Sequence, residues 1–492
     1  MAKETVKKVP YMSMGSDLFN LLVGGDKGVM GLPYGSILNV CGDKSSGKSF
    51  LKNEIIAANY YAYGADPDRF AWFSDDCESG DTFNTEALYG VNIRPIDGEG
   101  YLRIGSKKVQ DSATVEDMDA HVSLFLEHLD KLDKDAVGIY AIDSLDGLSD
   151  AVKEAMEGAR LGQLKTGNEV KDKGDYGMQI PKFLSQNFFR PKHKKLEDAH
   201  CSLIIVSQIR DKIDSMGYGQ KWDVSCGKAL EFYCHTRIFL QTIAKLGVDG
   251  SPITKSDDLV TGAYVKATTF KSKTPRPYRT IYYTVYFNYG IDNIGSNLDF
   301  LFDLRGKDGK FVEGSDSIKW DEGHDLNKDT LAKWLTDVGL MGEVKAANKA
   351  KSGNYQVSMK FQQEWLAERF KADPALQEKY IEYFGRQYTR DELIRMCEAD
   401  PKMNAELTRR VIAKWEARED SIPVRPSKYG GGRFATPASQ PAEPNPLAER
   451  PVGGGEPWEA PKEEAPDSTG GVMLRHATAL SPDTAETPDS GA

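Results

Sequence analysis

Ser36-Ile37-Leu38-Asn39-Val40-Cys41-Gly42-Asp43-Lys44-Ser45-Ser46-Gly47-Lys48-Ser49 is the stretch that decides the fold. Its first half is a short apolar run of the kind that forms a fully buried strand. Its second half reads Gly-x-x-x-x-Gly-Lys-Ser and leads into a helical pattern, the context in which that spacing is a phosphate-binding loop. Glycines let backbone N–H groups turn inward around phosphates, and the helix N-terminus adds positive potential. Gly42, Asp43, Lys44, Ser45, Ser46, Gly47, Lys48 and Ser49 are therefore the expected nucleotide contacts. Lys48 is expected to reach the β- and γ-phosphates and the Ser49 hydroxyl to ligate a magnesium ion, so the ligands implied are ATP and Mg2+.

Working outward, further apolar runs read as strands at Phe70–Ser74, Val137–Ile142 and Leu203–Val206, with helical stretches around Val115–Leu132 and Gln179–Leu196 between them. That alternation predicts an α/β domain with a mostly parallel sheet. Longer strand-like runs at Cys234–Ile243, Tyr264–Phe270 and Thr280–Phe287 predict an antiparallel extension. Polar residues at three strand ends carry the remaining chemistry. Asp143 follows Val137–Ile142 and is a second candidate for holding the magnesium ion through water. The cluster Asp75-Asp76-Cys77-Glu78 supplies a carboxylate able to polarise an attacking water, and Gln208, after Leu203–Val206, is placed to sense a γ-phosphate.

Four regions differ in texture: a basic lead at 1–11, the α/β core at 12–312, a mostly helical C-terminal domain at 313–420 and a disordered acidic tail at 421–492. In the helical region Asn327 is placed to cap a helix carrying Leu331, Trp334, Leu335 and Val338, and Thr389-Arg-Asp-Glu392 reads as a capping box. From about residue 421 the chain is rich in Pro, Gly, Ala and Glu, with too little apolar surface to offset ordering entropy. The net charge of −11 is unevenly held. Residues 443–492 carry ten acidic side chains against Arg450, Lys462 and Arg475, a net of −7, so the other 442 residues carry only −4. The acidic total therefore does not exclude a nucleic-acid partner. The six cysteines form no Cys-x-x-Cys pair, which predicts reduced thiols. With no run long enough to span a bilayer and no apolar secretory leader, a cytoplasmic protein without a membrane partner is expected.

Gly31-Leu-Pro-Tyr-Gly35, Gly42–Ser49, Asp76-Cys-Glu78, Ile142-Asp-Ser144, Ser207-Gln-Ile-Arg210, Ala229-Leu-Glu-Phe-Tyr233 and Phe270-Lys-Ser-Lys273 occur in the order seen in RecA-type recombinases. The resemblance spans about residues 12–312. The short N-terminus and different C-terminal region look more like the UvsX-type recombinases of phages than like bacterial RecA, which implies an origin in a phage genome. By this resemblance Glu78 matches the water-activating glutamate, and Gln208 the residue coupling the γ-phosphate to the second DNA loop. Lys271 and Lys273 match paired lysines that reach a neighbouring subunit's ATP. The DNA-binding loops correspond to about 150–177 and 209–227. Arg210, Lys212, Met216, Tyr218, Lys221 and Trp222 of the second loop, with Lys182 beyond the first, are the implied DNA contacts. Basic groups there can neutralise phosphates, while aromatic or apolar ones stack on bases.

The chain also departs from the family pattern. Few residues precede the core, so polymerisation is expected to use a surface other than RecA's N-terminal helix, or to be weaker. Lys44 stands where RecA has an acidic residue, Cys226 replaces a glycine closing the second loop, and Phe83 is the candidate adenine-stacking aromatic. The implied function is a DNA-dependent ATPase that forms helical filaments on single-stranded DNA and pairs it with homologous duplex DNA, in recombination and repair. Loading factors or single-strand-binding proteins are the implied further partners. Two other functions fit the same residues: a ring-forming RecA-fold DNA motor or helicase, and a weakly hydrolysing accessory protein of the same fold.

Overall fold

The computed structural model describes residues 10–24, 30–78, 84–149, 179–211, 222–224, 227–254, 258–274, 276–315, 317–321, 323–324 and 326–421. The segment 150–177 expected to form the first DNA loop, Lys212, Met216, Tyr218, Lys221, Cys226, Phe83 and the tail after Ser421 lie outside the described residues.

The central element is a nine-stranded sheet. Its strands are β1 (Ile37–Gly42), β2 (Phe70–Asp75), β3 (Val137–Ile142), β4 (Cys201–Asp211), β5 (Trp222–Val224), β6 (Thr236–Leu246), β7 (Gly262–Ser272), β8 (Thr280–Tyr286) and β9 (Gly290–Ile291). The spatial order is β9-β8-β7-β6-β1-β4-β3-β2, with β5 returning beside β4. The five strands from β6 to β2 are mutually parallel, and β7, β8 and β9 extend the sheet antiparallel. The α/β class with its parallel core and antiparallel extension agrees with the sequence reading. β1 lies between β4 and β6, not beside β2, so the chain crosses over after β1 and leaves a crevice at the strands' carboxyl ends.

Alternation within each strand divides the core between the two faces. Leu38, Val40, Ile204 and Leu240 pack with Leu51 and Ile55 of α2 (Lys48–Ala62) and with Leu18 and Phe19 of α1 (Asp17–Val23). Ile37, Cys41, Tyr140 and Ile205 pack on the other face with Val122 and Phe125 of α3 (Val115–Leu129) and with Phe188 and Phe189. Both faces are covered, which is why the parallel strands read as unbroken apolar runs. The expected helix at Gln179–Leu196 forms in three parts: α4 (Gln179–Phe183), a π-helical Leu184–Phe189 and α5 (Arg190–Asp198).

Helices α6 (Gly227–Tyr233) and α7 (Asn293–Phe302) belong to the same body. Beyond them, α8 (Lys328–Asp337), α9 (Met341–Ser352), α10 (Met359–Ala372) and α11 (Pro374–Phe384) enclose a small core of their own around Leu331, Trp334, Leu335 and Phe384. Asn327 caps α8 in a reciprocal box with Thr330, and Thr389 with Glu392 caps α12 (Arg390–Ala399). Leu393 and Cys397 of α12, and Leu407, Val411 and Trp415 of α13 (Pro401–Asp420), join the first core. Arg390 ties α12 to Asp299 at 2.7 Å, and Glu419 of α13 pairs with Arg279 at 3.0 Å. No described helix is long and apolar enough to cross a membrane.

Candidate active site

β1 ends at Gly42, where a Cβ would lie 2.0 Å from the carbonyl oxygen of Leu240 in β6. Only glycine lets the neighbouring strand approach so closely. The turn continues with Asp43 N–H donating to Leu240 O at 3.0 Å and Ser46 Oγ donating to Asp43 O at 2.8 Å. α2 begins at Lys48, so the first-turn amides of Lys48 and Ser49 lie at the loop, ahead of the helix's own hydrogen-bond ladder. Lys48 Nζ donates to the carbonyls of Gly42 (3.1 Å) and Asp43 (2.7 Å). Burial pulls its pKa below the usual lysine value, against the nearby Asp143, whose charge favours the ammonium form. Tyr283 of β8 supports the loop from beneath, its hydroxyl donating to Ser46 O at 3.3 Å. Lys44 and Ser45 are exposed. A cavity of about 270 Å³ runs along residues 45–50 and is bordered by Phe287, which follows β8.

The acidic groups arrive from the neighbouring strand ends. Asp143, after β3, is buried and pairs with Lys52 of α2, Nζ to Oδ2 3.2 Å. Of the four-residue acidic cluster after β2, the members differ sharply. Asp75 is fully buried and accepts from Ser112 N (2.8 Å), Ser112 Oγ (2.7 Å) and Tyr140 OH (2.7 Å), so it braces the fold. Asp76 is also buried. Glu78 is exposed, and its Oε1 accepts from Gln208 Nε2 at 2.9 Å and from Ser144 Oγ. The turn after Asp143 can press against Glu78 because residue 147 is glycine: a Cβ there would lie 2.5 Å from Cys77 O. Asp146 on that turn accepts the backbone N–H of Gln208 at 2.8 Å. Lys48, Ser49, Asp143, Glu78 and Gln208 thus gather at the carboxyl ends of four parallel strands.

Lys271 and Lys273 are not in that group. Lys271 lies opposite Arg237, which lies opposite Asn39, three residues before Gly42. Its Nζ donates to the carbonyls of Glu231 and, at 2.7 Å, Phe232 at the end of α6. Burial lowers its pKa, while Lys273 is exposed. Lys182 is exposed on α4. The backbones of Arg210 and Trp222 lie in the β4–β5 pair, where Arg210 is opposite Asp223 and Trp222 opposite Asp211.

Ser49 and Asp143 offer a hydroxyl and a carboxylate, hard oxygen donors of the type Mg2+ takes beside a polyphosphate. The Asp143 carboxylate has one oxygen on Lys52, which leaves the other for a metal-bound water, so the residues fit the ion. Sequence reasoning assigned no role to Lys52, Asp146 or Phe287. Lys52 carried a signal, since it lies one helical turn after Lys48 and shares its face. Phe287 and Asp146 carried none.

The RecA N-terminal domain family matches residues 163–292. Protein RecA of Helicobacter hepaticus is 26% identical over 72% of this chain and 88% of its own length. Protein RecA of Helicobacter pylori is 26% identical over 75% and 91%. The crystal structure of the RadB recombinase is similar at 12% identity over 53% of this chain and 92% of that one, with a TM-score of 0.31, too slight a likeness to carry weight.

Proposed function

We propose that this chain, a relative of the RecA-type recombinases, is a DNA-dependent ATPase that assembles on single-stranded DNA and pairs it with a homologous duplex. The observation that carries this reading is the convergence of Glu78 and Gln208 on the P-loop side of the sheet, joined by a 2.9 Å hydrogen bond. The substrate's triphosphate lies along the first-turn amides of α2, with Lys48 on its β- and γ-phosphates and the base against Phe287. Ser49 and Asp143 would hold Mg2+, which when bound would offset charge on the phosphates. Glu78 takes a proton from water as the water oxygen bonds to the γ-phosphorus and the bond to the β–γ bridging oxygen breaks.

Gln208 links this chemistry to DNA. Its side chain touches Glu78 and its backbone opens the segment 209–227, so a γ-phosphate that draws the amide changes where that segment starts. Arg210, Lys212, Met216, Tyr218, Lys221 and Trp222, with Lys182, are the proposed DNA contacts. Lys271 and Lys273 serve the ATP of a neighbouring copy in a helical filament. The protein works in the cytoplasm, alongside loading or single-strand-binding partners. The test is ATP hydrolysis with and without long single-stranded DNA, with electron microscopy of the same mixtures. DNA-stimulated turnover, its loss in Lys48→Ala and helical filaments are expected. Closed rings, or turnover indifferent to DNA and to Lys48→Ala, overturn the reading.

A further inference from the structure

Lys52 is 0% exposed, yet it carries an ammonium group, and it sits inside the helix that follows the P-loop. A buried lysine is kept charged only by a close counter-ion, since desolvation otherwise drives it neutral. Asp143, at 3.2 Å and with its own side chain 12% exposed, is such a counter-ion. Lys48 and Lys52 are four residues apart on one helix, so a single face of α2 carries two ammonium groups toward the same strand ends. Lys48 lies at the loop carbonyls, where phosphates bind, and Lys52 lies one turn deeper against the carboxylate proposed to hold the metal's water.

We propose that Lys52 is a positioning residue that fixes Asp143 and supplies permanent positive charge beneath the phosphate site, lowering the dependence of nucleotide binding on divalent metal. The inference rests on the ATP reading above. Without Lys52, Asp143 would present a whole negative charge to the triphosphate, and a divalent ion would be required to offset it. With Lys52 the pair is neutral, so metal-free nucleotide meets less repulsion. For the same reason a divalent ion finds only a weak ligand in Asp143 until the phosphates arrive. Lys52 also holds one carboxylate oxygen, so Asp143 offers a single oxygen in a set direction.

The test is made on the full chain, comparing wild type, Lys52→Met and Lys52→Arg. Affinity for a fluorescent ATP analogue is measured in excess Mg2+ and in EDTA, and Mn2+ binding to nucleotide-free protein is followed by electron paramagnetic resonance. In Lys52→Met, EDTA affinity is expected to fall roughly tenfold further than in wild type, the scale of one unit charge acting over several ångströms at intermediate dielectric. Mn2+ should bind that nucleotide-free variant about tenfold more tightly, by the same charge argument. Lys52→Arg keeps the charge and should stay within about threefold of wild type in EDTA. Equal EDTA and Mn2+ affinities in wild type and a folded Lys52→Met overturn the proposal. If Lys52→Met does not fold, wild type still decides it: a neutral pair implies nucleotide-free Mn2+ binding no tighter than about millimolar, and micromolar binding refutes it. Failure of the ATP reading looks different, because wild type would then bind no analogue in either buffer.

Discussion

The position of Lys271 and Lys273 yields a quantitative expectation. Lys271 is level with Asn39, so it lies three strand residues, about 10 Å at ~3.3 Å each, below the level of Gly42, and Lys273 lies further still. The Lys271 ammonium is also committed to carbonyls at the end of α6. Neither lysine can serve the P-loop of its own chain, and in a head-to-tail filament each would serve the next. Lys271→Ala with Lys273→Ala should therefore bind nucleotide normally as an isolated subunit and lose DNA-stimulated hydrolysis. Lys48→Ala should lose hydrolysis too, for a different reason. Each interface of a mixed filament needs an intact P-loop from the double variant and intact lysines from Lys48→Ala. At a 1:1 ratio with random order that pairing occurs at one interface in four, so turnover should recover to about a quarter of wild type at equal total subunit. Phosphate release on long single-stranded DNA measures it. A mixture no more active than its parents, or a double variant that hydrolyses like wild type, refutes the trans assignment.

Three further outcomes are expected. Glu78→Gln keeps hydrogen-bonding capacity toward Ser144 and Gln208 but removes the base, so hydrolysis should fall roughly 10²-fold with nucleotide binding retained; if Asp76→Asn is the slow variant instead, the assignment within the acidic cluster fails. Burial on α2 pushes the Glu54 carboxyl up to about 7, against a backbone hydrogen bond from Ile291 that favours ionisation. Between the unfolded carboxyl's range and that value the folded state holds the extra proton, so stability should drop as pH rises from 5 to 8, by up to about 3 kcal/mol. Denaturant unfolding of Glu54→Gln should lack this slope, and an equal slope in both proteins would exclude Glu54 as its source. Deleting residues 421–492 removes the acidic stretch 443–492, which holds −7 of the −11 net charge, together with Arg425, Lys428 and Arg433, a net of −4. DNA binding should then tighten at low salt and converge with the full chain as salt rises, and each wild-type subunit should show a slope of log K against log salt near −2 if it meets about three phosphates. Weaker binding after truncation would point to partner docking by that segment.

The helical C-terminal region shows how local signals and distant packing divide. The cap at Asn327 and the capping box at Thr389 were legible because a cap and the groups it meets lie within three residues. That α12 and α13 carry Leu393, Leu407 and Trp415 into the first core, while α8 to α11 close around Trp334 and Phe384, was not. Both sets of apolar stripes have helical spacing, and spacing does not name the surface a stripe will cover. In the acidic cluster, residue type alone did not separate Asp75, which braces Ser112 and Tyr140, from Glu78, which meets Gln208; only the family resemblance singled out Glu78.

By itself the sequence determined the P-loop, the strands as buried apolar runs, and the polar residue that ends each of them. These depend on neighbours within a few positions, where backbone geometry and hydrophobic alternation act directly. Tertiary structure decided which ends meet. The order β6-β1-β4-β3-β2 sets Gln208 and Asp143 beside the P-loop and carries Glu78 to Gln208 across 130 residues of chain. The same order puts Lys271 and Lys273 below it and gives Lys52 its carboxylate, 91 residues away. Strand pairing is a choice among many arrangements with similar local energies, settled only when both faces of the sheet are covered at once.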